Sequence, residues 1–151
     1  MSDSDMRELY QEVILDHNRR PRNFRAMDPA DAKQEGFNPL CGDRLTLFLR
    51  FDGDKVADAS FQGSGCAIST SSASLMTEAV KGKTKADVER VYEMFHRLIV
   101  RDGPTPTDAE LGKLRVFAGV GEFPARVKCA TLCWHTLHAA LHGRQERVTT
   151  E

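Results

Sequence analysis

Residues 44–61, RLTLFLRFDGDKVADASF, decide the fold. Leu45, Leu47, Leu49 and Phe51 alternate with Arg44, Thr46 and Arg50, which predicts a half-buried strand over 44–51. DGDK is a turn signal. The stretch 56–61 then reads as the returning antiparallel strand, with Ala57, Ala59 and Phe61 facing inward. A third short strand is expected through Gly65 and Cys66.

Helical periodicity surrounds this hairpin. Upstream, Met6, Leu9, Tyr10, Val13, Ile14 and His17 recur at three-four spacing and predict a helix over 4–18, closed before Pro21. Residues 22–42 carry Pro, Gly and Asn and read as loop. Downstream, the hydroxyl-rich STSSASLMTEAV predicts a helix from Ser69 or Thr70 to Val80, with Gly82 as its stop. Thr84 and Asp87 match a capping box, followed by an apolar stripe of Val88, Val91, Tyr92, Phe95, Leu98 and Ile99. A second capping box at 107–110 predicts a short helix inside a polar insertion near 101–124. The last helix opens at Pro124, packs Val127, Ala130, Trp134, Leu137 and Leu141, and stops at Gly143. Strands precede helices, so the fold class is α+β: a small antiparallel sheet of about three strands with helices on one face. A chain of 151 residues suits one domain, 1–151.

The charge balance of 21 Lys plus Arg against 22 Asp plus Glu gives no electrostatic case for nucleic acid. Nothing is apolar enough to span a membrane, and the acidic start MSDSDMREL lacks a signal peptide's apolar stretch. A cytoplasmic location is expected. There the four cysteines are buried, metal-bound or reactive rather than disulfide-bonded.

Cys41, Cys66 and Cys129 lie on three different elements, and no Cys-x-x-Cys exists, so any shared site is built by folding. Cys41 and Asp43 flank Gly42, a spacing that lets a thiolate and a carboxylate converge. Cys66 follows Gly63 and Gly65 and sits just before a helix, whose free N–H groups favour a thiolate. Three thiolates and a carboxylate suit tetrahedral zinc, and thiolates equally suit iron–sulfur clusters. Spacing alone leaves the bland readings open: Cys66 as buried filler, Cys41 as a surface thiol, Asp43 as a turn cap. Cys133 reads as core packing beside Trp134, or as a spare thiol near the site. His135, His138 and His142 read as a solvated flank, and His17 as a packing residue at a helix end. Arg126 and Lys128 either solubilise the last helix or partly neutralise an anionic site.

The segments NPLCGD, FQGSGCAISTSSASLMTEAVKGK and PARVKCATLCW together closely resemble the U-type iron–sulfur assembly proteins, specifically the SUF-type branch (SufU), over roughly residues 5–142. The resemblance implies that Cys41, Asp43, Cys66 and Cys129 are the four metal ligands. In the ISC-type branch a histidine precedes the last cysteine. Lys128 stands there, and with the stretch RDGPTPTDAELGKLRVFAGVGEFP it points to the SUF-type branch. That branch implies a zinc-bound sulfur acceptor for a PLP-dependent cysteine desulfurase, a sulfurtransferase-like carrier rather than a settled enzyme. Cys41 would leave the metal on docking and take up the persulfide sulfur, with Asp43 tuning its release and Cys66 and Cys129 retaining the ion. The alternative is a scaffold on which a two-iron or four-iron cluster forms transiently before transfer. Further partners would be other SUF assembly proteins and cluster recipients.

Overall fold

The computed structural model describes residues 3–100, 111–143 and 147–150. The expected capping box at 107–110, and with it much of the polar insertion, lies outside the described residues. So does the side chain of Met6.

In chain order the elements are α1 (Asp3–Arg19), β1 (Ala32–Asn38), β2 (Asp43–Asp52), β3 (Lys55–Ser64), α2 (Ala67–Val80), α3 (Lys85–Val100), a 3₁₀ segment (Gly112–Glu122), α4 (Pro124–Leu141) and β4 (Val148–Thr149). The sheet runs β3-β2-β1-β4. Its first three strands are antiparallel, and β4 adds a two-residue parallel edge to β1. The α+β class and the helical layer against a small sheet are as the sequence predicts.

Leu45, Leu47 and Leu49 face the main core, as the alternation requires. The β2–β3 turn is tight: Asp52 pairs with Lys55, and Gly53 takes φ +62°. A β-bulge at Arg50/Phe51 then shifts the register, so Val56 pairs with Phe51. Val56 is therefore fully buried and Ala57 is exposed, the reverse of the simple alternation.

The third strand is not at Gly65–Cys66. There β3 simply runs on to Ser64 and the chain leaves the sheet. The third strand is β1, in a stretch that reads as loop. Its inward positions are Gln34, Gly36 and Asn38, all buried and none a large apolar residue. No hydrophobic alternation marks it, and pairing with β2 specifies it instead.

Helices α2 and α4 are the central layer. α4 packs on β1 and β2, and α2 packs on β3, on α1 and on α4. Both are buried nearly all round: α4 hides Cys129–Trp134, Thr136, Leu137, Ala139 and Ala140, more than one stripe. Hydroxyls make the crowded α2 tolerable. Ser72 Oγ donates to Ala130 O at 2.7 Å, and Thr77 Oγ1 donates to Ser74 O at 2.7 Å. In α1, Leu9 is exposed, whereas His17 is buried with its Nδ1 2.7 Å from Ser74 Oγ. α3 buries Val88, Val91, Phe95, Leu98 and Ile99 of the expected stripe and also Met94, with Tyr92 half-buried, and Thr84 Oγ1 accepts the Asp87 N–H at 3.1 Å. The 3₁₀ segment closes the core with Leu114, Val116, Phe117 and Val120. No helix among the described residues is long and apolar enough to cross a membrane.

Candidate metal centre

Three chain reversals meet at one corner of the sheet. The first joins β1 to β2. Asn38 pairs with Asp43 across the hairpin, leaving Pro39, Leu40, Cys41 and Gly42 as its loop. The Gly42 N–H donates to Asn38 O at 2.9 Å with φ +73°, a left-handed position that glycine takes without strain. Cys41 is thereby presented at an exposed tip, while Asp43 opens β2 fully buried.

The second reversal is the exit of β3. Gly65 crosses directly over Asp43: a Cβ there would lie 2.6 Å from Asp43 Oδ1. This close pass lets the Cys66 N–H donate to the same oxygen at 2.9 Å. Cys66 caps α2, its Sγ accepting the Ser69 N–H at 3.4 Å. The helix therefore begins earlier than hydroxyl content suggests, with the thiol itself at the positive end of the dipole. The third reversal is the start of α4, where Pro124 occupies the first turn and Cys129 is fully buried.

Cys41, Asp43 and Cys129 converge, with their donor atoms within 4.8 Å of one another. The two sulfurs are 3.3 Å apart. Cys66 is outside that set as it stands, bound to Asp43 through its backbone. Burial pushes the Cys129 thiol well above its ordinary pKa, helped by its contacts with Cys41 and Asp43. A buried thiol beside a sulfur and a carboxylate resists a further negative charge, and a cation among them removes that penalty. The donor set therefore fits a thiophilic ion such as zinc or iron. Arg126 lies beside the sulfurs. The charge of Cys66, then its bond to Cys129, raises the guanidinium pKa, which supports the neutralising reading of this residue.

One supporting residue of this corner escapes sequence reasoning. Asn38 Nδ2 donates to Asp43 Oδ2 at 3.0 Å and reaches Cys129 Sγ at 3.6 Å. Its Oδ1 accepts the Leu40 N–H at 3.2 Å, bracing the Cys41 loop. The Asn-Pro at the head of NPLCGD is the only signal for it. Cys133 is packing: 2 % exposed, against Ser72 Oγ at 3.4 Å, its thiol pushed up to about 12 by burial.

The histidine flank of the last helix is only partly solvated: His142 is exposed, whereas His135 and His138 are half-buried. They dock on α3. His135 Nδ1 is 3.0 Å from Tyr92 Oη, and burial lowers its pKa. His138 and His142 both meet Glu89.

Residues 9–130 match the family described as the NifU-like N terminal domain. The chain is 41% identical over 141 residues to an iron-sulfur cluster assembly scaffold protein IscU of Streptococcus pyogenes serotype M1, covering 93% of this chain and 87% of that one. It is 42% identical over 130 residues to a zinc-dependent sulfurtransferase SufU of Bacillus subtilis (strain 168), covering 85% and 86%. A crystal structure of a putative iron-sulfur cluster assembly scaffold protein for the SUF system, from Fervidobacterium islandicum AW-1, superposes with a TM-score of 0.82 at 36% identity, over 86% of this chain and 94% of that one. Fold and sequence agree, and the chain belongs to the NifU-like N-terminal domain family of IscU- and SufU-type proteins.

Proposed function

We propose that this protein is a scaffold of iron–sulfur cluster assembly. Cys41, Asp43 and Cys129, joined by Cys66, would hold a nascent cluster as cargo and release it to a recipient protein. The observation that carries the reading is the convergence of two sulfurs and a carboxylate from the β1–β2 hairpin and α4, the Cys41 sulfur exposed and Asp43 and Cys129 buried. A cluster held that way is anchored from below and open above. Asp43 is fixed by the Cys66 N–H and the Asn38 amide, so its carboxylate stays aimed at the sulfurs. A carboxylate is a harder donor than a thiolate and makes the cargo easier to release. Leu40 and Phe123, 62 % and 60 % exposed, lie at the Cys41 loop and the start of α4, apolar ground for a partner at the open side. The partners would be a PLP-dependent cysteine desulfurase and cluster recipients. Four free thiols suit a reducing, cytoplasmic setting.

A second reading, a zinc-dependent sulfur acceptor, is favoured by the exposure of Cys41 and by Lys128 standing before Cys129. The Cys41 thiolate would attack the terminal sulfur of a desulfurase persulfide. A new S–S bond forms on Cys41, the old one breaks, and the partner cysteine leaves as thiolate. Cys66, Cys129 and Asp43 would hold zinc, which when bound keeps its thiolate ligands deprotonated.

One anaerobic experiment separates the two. The protein is incubated with ferrous iron, free cysteine and a cysteine desulfurase, then mixed with an apo-ferredoxin. The scaffold reading expects a visible chromophore on this chain that passes to the ferredoxin. The acceptor reading expects a mass gain of one sulfur on the Cys41 peptide, retained zinc and no chromophore. If neither appears, or if Cys41→Ser changes nothing, both readings fail.

A further inference from the structure

The second cluster of donors is on the far side of α4. Residue 138 is nine positions beyond Cys129, roughly 13 Å along the axis and on the opposite face at 3.6 residues per turn. His138 and His142, one helical turn apart, project together toward α3. Glu89 of α3 meets both: its Oε2 is 3.0 Å from His138 Nδ1 and its Oε1 is 3.1 Å from His142 Nε2. The three donor atoms lie within 4.8 Å of one another. Ligands at about 2.0–2.1 Å from a tetrahedral ion stand roughly 3.3 Å apart, so small movements suffice to admit one.

The neighbours preorganise the site. The Tyr92 ring stacks on His138 with centroids 4.8 Å apart and planes 16° off parallel, which fixes the imidazole's orientation. Tyr92 is in turn held by His135. His142 is 55 % exposed, so the outer side is open to water as a fourth ligand.

We propose that Glu89, His138 and His142 form a second cation site, for a borderline divalent transition ion such as zinc. Two imidazoles and a carboxylate suit such ions and lack the thiolates that an iron–sulfur cluster needs. Bound there, the ion clips α3 to the end of α4, while the open position lets it exchange. The site does not depend on the cysteine centre.

The test is titration of the full-length protein with Zn²⁺ by calorimetry and with Co²⁺ by absorption. Cobalt separates the sites, because thiolate ligation gives intense near-ultraviolet charge transfer and imidazole–carboxylate ligation does not. Two equivalents are expected, the second without charge-transfer bands and with a rise in melting temperature. His142→Gln and Glu89→Gln should each weaken that equivalent at least tenfold and leave the thiolate-bound one intact. The same equivalent should persist in a Cys41→Ser/Cys129→Ser chain. Absence of a thiolate-free equivalent would overturn the proposal, as would one of unchanged affinity in both His142→Gln and Glu89→Gln.

Discussion

Gly65 sets how closely the end of β3 passes the Asp43 carboxylate. The Cβ of an alanine there would sit 2.6 Å from Oδ1 and 3.2 Å from both Cβ and Cγ of Asp43. Asp43 is fully buried and held on both oxygens, so it has little room to yield. Gly65→Ala should lower stability by about 1–3 kcal/mol by overpacking, read from the denaturant midpoint. It should also weaken Zn²⁺ binding at the cysteine centre at least tenfold in a chelator competition. Unchanged zinc affinity in that variant would take Asp43 out of the ligand set. At this scale the sequence is informative about chemistry-bearing residues and poor about their supports. Cys41, Asp43 and Cys129 announce themselves by type, and folding does bring them together. Asn38 does not, because a carboxamide in a polar loop carries no pattern until its partners are known.

Among the elements, the contact of β1 with α4 holds Cys129 over the β1–β2 loop. Gly36 makes it possible: its missing side chain leaves space that a Cβ would share with Thr136 Oγ1 at 2.2 Å, Leu45 Cδ2 at 3.1 Å and Leu132 Cδ1 at 3.2 Å. Gly36→Ala should cost about 1–3 kcal/mol. Thr136→Ala in the same chain should recover part of that loss, so the pair should deviate from additivity by at least about 0.5 kcal/mol in chemical denaturation. Strictly additive losses would mean that α4 is seated by other contacts. The sequence shows β2 and α3 clearly because their buried residues are mostly large and apolar, and it shows α4 through Pro124 at its start and Trp134 and Leu137 on its buried face. β1 is hidden because its buried positions are Gln34, Gly36 and Asn38. The inward set of β3 is misjudged because a bulge, which leaves no compositional trace, exchanges Val56 for Ala57. His135 and His138, half-buried rather than solvated, are misjudged for a related reason. Their spacing shows a shared flank, but only the path of α3 shows that Glu89 and Tyr92 cover it.

In the whole molecule, layers and chemistry are coupled at one corner. The sheet supplies the Cys41 tip and Asp43, the exit of β3 supplies Cys66, and the start of α4 supplies Cys129. The central helices are buried on most sides, so Cys129 is fully buried within α4, Cys66 is half-buried at the N-cap of α2, and the exposed Cys41 is on a hairpin loop. This division of buried and accessible donor groups suits both a cluster scaffold and a sulfur acceptor. The most direct measurement is zinc K-edge X-ray absorption on the protein loaded with a single, thiolate-bound equivalent. The account predicts three sulfur neighbours near about 2.3 Å and one oxygen near about 2.0 Å, with a sulfur lost in each of Cys41→Ser, Cys66→Ser and Cys129→Ser. A shell of nitrogen and oxygen alone, or one that none of these three substitutions alters, would contradict it.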